Sequence, residues 1–192
     1  MEKTVTAVLV AAGSSRRMGF DKLSAPLGGG TVLSASAAAF DRHPLVTDLV
    51  LVTGADETAA RAAAARCQKP VALVKGGATR ALSALAGVRA AKGELVAIHD
   101  AARPFVSEEV ITRVLEAAEK TGAAAPAVPV KDTIKLADDA GLVESTPPRQ
   151  KLFAMQTPQC FDRAAYLALA GDEAVTDDCQ LFERAGLPVR LV

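Results

Sequence analysis

Short apolar, β-branched runs alternate along the chain with alanine-rich stretches whose apolar residues recur at helical spacing. The runs fall at residues 4–10, 48–53, 71–74, 95–98 and 124–130, and each leads into Gly, Pro or Asp. Helices are predicted over 31–42, 56–66, 79–91, 107–120, 163–170 and 176–185, with Ser107 as an N-cap ahead of Glu108 and Glu109, and Gly122 and Gly186 as helix-ending glycines. This is βαβ alternation. The segments "TAVLVAA" and "ELVAIHD" are apolar without interruption, which suits strands covered on both faces by helices. The pattern therefore predicts an α/β fold with a doubly wound, mostly parallel sheet.

One segment breaks the rhythm. Residues 131–155, "KDTIKLADDAGLVESTPPRQKLFAM", read as two extended stretches around the turn-prone "ADDAG", with Pro147 and Pro148 barring a helix on the return. The expectation is a projecting β-hairpin arm, too small and polar for a core of its own, of the kind that packs on a second subunit. "QTPQCF", from Gln156 to Phe161, reads by itself as a loop.

Length and composition narrow this picture. At 192 residues, 50% hydrophobic, 23% charged and 4% aromatic, the chain reads as one globular domain over 1–192 that includes the arm. A formal net charge of +0 argues against binding to nucleic acid or to an anionic membrane through bulk charge, so anions must be captured locally. The N-terminal apolar run is short and preceded by Glu2, unlike a signal peptide or membrane span, and a cytoplasmic location is expected. Cys67, Cys160 and Cys179 lack metal-site or disulfide spacing and read as small core residues.

In a doubly wound sheet the loops after the strands meet at one edge, where ligands bind. Here those loops carry Gly13, Ser14, Ser15, Arg16, Arg17 and Lys22; then Gly76, Gly77, Arg80 and Ser83; then His99, Asp100, Arg103 and Pro104; then Lys131, Asp132, Thr133 and Lys135. Backbone N–H groups of small residues beside arginines and lysines can cradle a phosphate, although the first loop taken alone reads equally as a solvated basic turn. Asp100 is placed to bind magnesium or a ribose hydroxyl, and Arg103 a phosphate or carboxylate. His99 reads as a buried, locally bonded histidine, because the chain offers no nucleophile elbow, no H-E-x-x-H and no partner histidine beyond His43, which sits at a helix end. Thr176, Asp177 and Asp178 read as a helix cap, with Asp177 able to reach a substrate. Cations around one aspartate, without a nucleophile, point to phosphoryl or nucleotidyl transfer, where catalysis is positioning plus charge stabilisation.

In order along the chain, "VLVAAGSSRRMGFDK", "GGATRALSALAGV", "AIHDAARPFV", "PAVPVKDTIK", "FAMQTPQCF" and "TDDCQLFERAG" resemble the successive motifs of the 2-C-methyl-D-erythritol 4-phosphate cytidylyltransferases. The resemblance implies a Rossmann-like homodimer, joined through the arm, that condenses CTP with a methylerythritol phosphate in the presence of Mg²⁺ and releases pyrophosphate. By resemblance, Arg17 and Lys22 are the catalytic cations on the triphosphate, and Ala11, Ala12, Gly13, Gly77, Arg80, Ser83 and Asp100 bind the nucleotide. Asp100 also lies at the metal, while Arg103, Thr133 and Arg149 bind the sugar phosphate, the last two across the dimer. Members of the family usually carry a further lysine in a segment beyond the position of Val192. Two alternatives remain: a cytidylyltransferase for another polyol phosphate such as ribitol 5-phosphate, and a catalytically silent nucleotide-binding module.

Overall fold

A computed structural model of the chain describes residues 2–13, 21–171 and 175–192. In chain order its elements are β1 (Val5–Val10), β2 (Pro26–Leu27), β3 (Gly30–Thr31), α1 (Val32–Asp41), β4 (Asp48–Thr53), α2 (Thr58–Ala64), β5 (Val71–Lys75), α3 (Arg80–Ala90), β6 (Leu95–Asp100) and α4 (Glu108–Thr121). There follow β7 (Ala123–Ala125), β8 (Ala127–Pro129), β9 (Leu136–Ala137), β10 (Val143–Ser145), β11 (Phe153–Met155), β12 (Gln159–Asp162), α5 (Arg163–Leu169), α6 (Cys179–Arg184) and β13 (Arg190–Leu191).

Among the described residues, seven strands form the main sheet in the order β13-β7-β12-β6-β1-β4-β5. The pairs β1·β4, β1·β6 and β4·β5 are parallel, as the two-faced apolar runs predict, and β12 alone runs against its neighbours β6 and β7. Successive strand residues point to opposite faces, so β1 sends Val5, Ala7 and Leu9 into a core with Leu33, Phe40, Ile111 and Leu115 of α1 and α4. Its other face sends Val8 into a second core with Val88, Tyr166 and Phe182 of α3, α5 and α6. Burying each such large side chain contributes about 1.5–3 kcal/mol.

Local chemistry fixes the helix ends. Ser107 accepts the Val110 N–H at 3.3 Å and Thr79 accepts the Leu82 N–H at 3.1 Å, each answering a donor that the first helical turn leaves unpaired. Gly122 closes α4 with φ +81, a left-handed conformation that only glycine adopts without strain. Helix α3 lies unusually close to the sheet at Gly87, where a Cβ would fall 2.4 Å from Val8 Cγ1 and 2.7 Å from Val52 Cγ2.

Three expectations change. The run at 124–130 is two strands: Pro126, lacking an N–H, interrupts the ladder, so β7 stays in the main sheet while β8 leaves it to pair with β11. The expected loop at "QTPQCF" instead contains the central strand β12, whose Cys160 and Phe161 are wholly buried. Finally, Pro147 and Pro148 bar an α-helix but not the single 3-10 turn at Arg149–Lys151. Of the cysteines, Cys160 and Cys179 are buried and Cys67 is half-buried against the core.

The arm is a hairpin of two short antiparallel ladders, β8 with β11 at its base and β9 with β10 at its tip. Every residue from 131 to 146 is exposed, including Leu142 at 68% and Val143 at 61%.

Candidate active site at the carboxyl ends of the strands

The ends of β1, β5 and β6 are stitched together before any ligand enters. Ala11 N–H donates to the Val52 carbonyl at 2.8 Å, Gly76 N–H to Thr53 at 2.8 Å, and Ala101 N–H to Val10 at 3.2 Å. Over these strand ends opens a cleft of about 520 Å³ lined by Ala12, Gly13, Lys22, Gly77, Arg80, Ser83, Asp100 and Arg103, with neighbouring backbone. The loops after β1, β5 and β6 therefore converge as the sequence predicts, whereas the fourth expected loop, with Lys131, Asp132, Thr133 and Lys135, is carried away from the cleft on the exposed arm. Ala11 sits just behind the wall, packed on the core with its N–H already used by the sheet.

The glycine loop after β5 is narrow by necessity. A Cβ on Gly76 would meet Ala12 Cβ at 2.5 Å and Ser83 Oγ at 2.8 Å, and one on Gly77 would meet Leu82 Cβ at 2.5 Å. Ser83, buried in the first turns of α3, accepts the Gly77 N–H at 3.1 Å and donates to the Thr79 carbonyl at 2.8 Å. Its hydroxyl thus folds the loop that presents Gly77 to the cleft.

The charges form a chain. Arg80 donates through Nε to Asp100 Oδ1 at 3.3 Å and through Nη1 to Asp178 Oδ2 at 2.6 Å. Asp100 in turn faces Arg103 Nε through its other oxygen at 3.3 Å, and Arg103 also donates to Gln156. Burial opposes the charge on Arg80, yet Asp178 and then Asp100 outweigh it and hold its pKa above the ordinary value. Lys22, held in its turn by Asp21, which accepts from Leu23 N–H at 3.0 Å and from Ser24, makes no ion pair with a described residue.

Behind this wall, His99 is fully buried and does structural work. Its Nε2 lies 3.0 Å from the Arg103 carbonyl, which can only accept, so Nε2 carries the proton and Nδ1 accepts from the Thr157 hydroxyl at 2.9 Å. Burial pushes its pKa down to about 4, against the partial counter-effect of the Arg103 carbonyl. A neutral imidazole that fastens the Arg103 loop agrees with the local role expected for it.

Other sequence candidates lie elsewhere. Arg17, with Ser14, Ser15 and Arg16, lies outside the described residues. Thr133 and Arg149 are exposed on the arm and do not line the cleft; Arg149 donates to the Lys131 carbonyl at 2.8 Å. Asp177 caps its own helix by accepting the Cys179 N–H at 2.9 Å, and Asp178, one residue on, is the aspartate that turns inward. Thr157 and Asp178 carry no signal of their own in the sequence; only the "TPQ" and "TDD" runs mark the vicinity of each.

Cations gathered around one carboxylate, with a neutral buried histidine behind them, suit transfer between two phosphates, the work of a nucleotidyltransferase. The family model described as "2-C-methyl-D-erythritol 4-phosphate cytidylyltransferase" matches residues 5–192. A 2-C-methyl-D-erythritol 4-phosphate cytidylyltransferase of Symbiobacterium thermophilum is 41% identical, with 100% of this chain and 84% of that protein covered. A bifunctional IspD/IspF enzyme of Bradyrhizobium diazoefficiens is 45% identical over 95% of this chain, which spans 48% of that relative's length. The crystal structure of a 4-diphosphocytidyl-2C-methyl-D-erythritol synthase from Anaerococcus prevotii superposes with a TM-score of 0.89 at 33% identity, covering 99% of this chain and 88% of that one. This chain belongs to the 2-C-methyl-D-erythritol 4-phosphate cytidylyltransferase family. It spans about half the length of the bifunctional relatives and most of the length of the shorter ones.

Proposed function

We propose that the chain transfers a cytidylyl group from CTP to 2-C-methyl-D-erythritol 4-phosphate and releases pyrophosphate, a step toward isoprenoid precursors. The observation that carries this reading is the convergence of Lys22, Arg80 and Arg103 on one glycine-walled cleft, in a chain of this family. An oxygen of the acceptor phosphate attacks the α-phosphorus of CTP; the bond from that phosphorus to the β-phosphate oxygen breaks, and its electrons leave with pyrophosphate. The nucleophile is already ionised, so no general base is needed, and His99 is free to be a strut. What the reaction requires is positive charge, because two anions must meet and charge builds on the α-phosphate. Lys22, together with Arg17, is proposed to supply it, while Ala12, Gly13, Gly77 and Ser83 shape the nucleotide side.

A divalent cation fits the same arrangement. Among the described residues no three His, Cys, Asp or Glu side chains cluster as a metal site, so a resident metal cage is not what the donor set suits. Mg²⁺ instead favours one or two carboxylates plus substrate phosphates, and Asp100 at the cleft is such a carboxylate. Bound there with the triphosphate, the ion would neutralise phosphate charge.

The acceptor side of the reading needs a second copy of the chain. Thr133 and Arg149 stand on an arm exposed from 131 to 146, with Leu136, Leu142 and Val143 open beside them. Docking of the arm on a partner subunit would cover these side chains and bring both residues to the partner's acceptor phosphate. Within the reading, the chain is a single nucleotidyltransferase domain working in the cytoplasm; among the described residues, no helix is long and apolar enough to cross a membrane.

The test is a pyrophosphate-release assay over an array of nucleotides and acceptors. Release should require CTP, methylerythritol phosphate and Mg²⁺ together. Turnover with ribitol 5-phosphate in place of the methylerythritol acceptor, or CTP binding with no turnover on any acceptor, would each replace this function with one of its rivals. Light scattering decides the assembly: a monomer at assay concentration removes the arm from the acceptor site.

A further inference from the structure

Arg80 lies between two aspartates that differ in every physical respect. Asp100 is the nearer in sequence, yet its contacts with Arg80 are 3.3 Å and its side chain keeps 34% of its surface in solvent. Asp178 is 98 residues away along the chain, completely buried, and 2.6 Å from Nη1. The shorter and less screened pair is the stronger one, since attraction rises as distance and local dielectric fall.

The carboxylate of Asp178 has no competing task. Asp178 occupies the N-cap position of α6, yet its side chain caps nothing; the neighbouring Asp177 accepts the Cys179 N–H instead. One oxygen of Asp178 takes the Tyr166 hydroxyl at 2.7 Å, the other takes Arg80, and its own N–H is held by Gln159 Oε1 at 3.1 Å. Tyr166 is itself buried in the core between α5 and α6, and Gln159 belongs to the central strand β12. A buried carboxylate needs a counter-charge, and Arg80 is the guanidinium that reaches it.

We infer that Asp178 is a positioning residue for Arg80, fixing the guanidinium in the nucleotide cleft from behind and leaving Asp100 as its exchangeable partner. Arg80 is then aimed whether or not Asp100 turns to another ligand. The donors that now face Asp100 stay at the cleft for a phosphate or for the ribose. The inference rests on the reading of this cleft as the nucleotide site.

Asp178→Asn is the direct test, because asparagine keeps the size of the side chain and an acceptor for Tyr166 while removing the charge. Affinity for CTP by calorimetry should fall about tenfold, the weight of one charge-assisted hydrogen bond, with the KM for the acceptor unchanged within about twofold. In an Arg80→Ala background the same substitution should add no further loss in CTP affinity, and equal losses in both backgrounds would overturn the proposal. Side-chain NMR of ligand-free protein labelled with ¹⁵N-arginine supplies a second readout: rotation of the Arg80 guanidinium about its Nε–Cζ bond, which the contact of Nη1 with Asp178 restrains, should speed up in Asp178→Asn, and an unchanged rate overturns the anchoring. Tyr166→Phe, which removes one support of Asp178 and spares the charge, should shift both readouts in the same direction by a smaller factor, and serves if Asp178→Asn does not fold. Should the wild-type chain bind no CTP, the proposed function falls, while the NMR comparison still decides whether Asp178 fixes Arg80.

Discussion

Of the four charged side chains that line the cleft among the described residues, three are tied to one another, Arg80 and Arg103 sharing Asp100, and Lys22 makes no ion pair with a described residue. In the arm the charged side chains reach only nearby groups of the arm itself: Arg149 donates to the Lys131 carbonyl and Lys135 to the Thr146 hydroxyl at 2.7 Å, with every residue from 131 to 146 exposed. The cleft is thus organised before any ligand arrives, which is what makes charges effective against a transition state. The arm is organised only as a hairpin, and its outer surface has no partner among the described residues. One region carries its function by what is already bonded, the other by what is left open.

The sharpest way to break this contrast is at Lys22. If the tied charges alone hold the triphosphate, Lys22→Ala would leave turnover nearly intact. The expected outcome is a fall in kcat of about 10²–10³, as for loss of one transition-state donor, with thermal stability unchanged. Single-turnover measurements at saturating CTP check it, and Arg17→Ala should behave alike. A loss of stability instead of kcat would mean that Lys22 builds the loop and does not act on the phosphates.

The next largest effect tests how firmly the cleft's rear wall is built. His99 is neutral and buried, with its pKa lowered to about 4 from the ordinary 6.5. Above 6.5 neither folded nor unfolded chain is protonated there, and the stabilisation is complete. As pH falls below 6.5 the unfolded chain takes up a proton that the folded chain refuses until about 4, so stability is lost across that window, by up to about 3 kcal/mol. Urea unfolding at pH 7 and pH 4.5 should show this loss in the wild type and much less of it in His99→Gln. Equal losses in both would show that the histidine is not the source.

These effects also mark where the sequence was legible. Strands β1, β4 and β6 could be read because parallel strands covered on both faces leave continuous apolar runs, and the edge strand β5 from its short β-branched run; the loops after β1, β5 and β6 do meet in the cleft. The arm was legible from its turn and its prolines, and resemblance supplied the sites that the pattern could not. Strand β12 could not be read: it has four residues, follows Pro158, and owes its place in the sheet to β6 and β7 on either side. Nor could the Arg80–Asp178 pair, because a contact between residues 98 apart leaves no local signature. The "TDD" run showed two aspartates at a helix start, and only the tertiary partners Tyr166 and Arg80 reveal which one turns inward.

A smaller effect is expected where the cleft meets the core. Arg80 and Ser83 ride on α3, and α3 approaches the sheet at Gly87, where an added Cβ would lie 2.4 Å from Val8 and 2.7 Å from Val52. Both neighbours are buried strand side chains with little room to yield. Gly87→Ala should therefore push α3 outward, costing about 1–3 kcal/mol by urea unfolding and weakening CTP binding with it. Stability lost with CTP affinity intact would separate the cleft from the packing beneath it.

The smallest effect belongs to the arm. Leu142 is 68% exposed at the hairpin tip, so within one subunit its side chain contributes little to folding. Leu142→Ser should leave the unfolding free energy of the dissociated subunit within about 0.5 kcal/mol of the wild type, as for a surface position away from any packed feature. If the arm docks on a second copy, the same substitution lowers the fraction of dimer at a given concentration and flattens the dependence of Tm on protein concentration, because association stabilises by mass action. CTP affinity should not move, since the residues proposed to contact the nucleotide lie away from the arm. A clear drop in the stability of the dissociated subunit would show instead that the tip of the arm packs on its own sheet, and the division between a finished cleft and an open arm would fail.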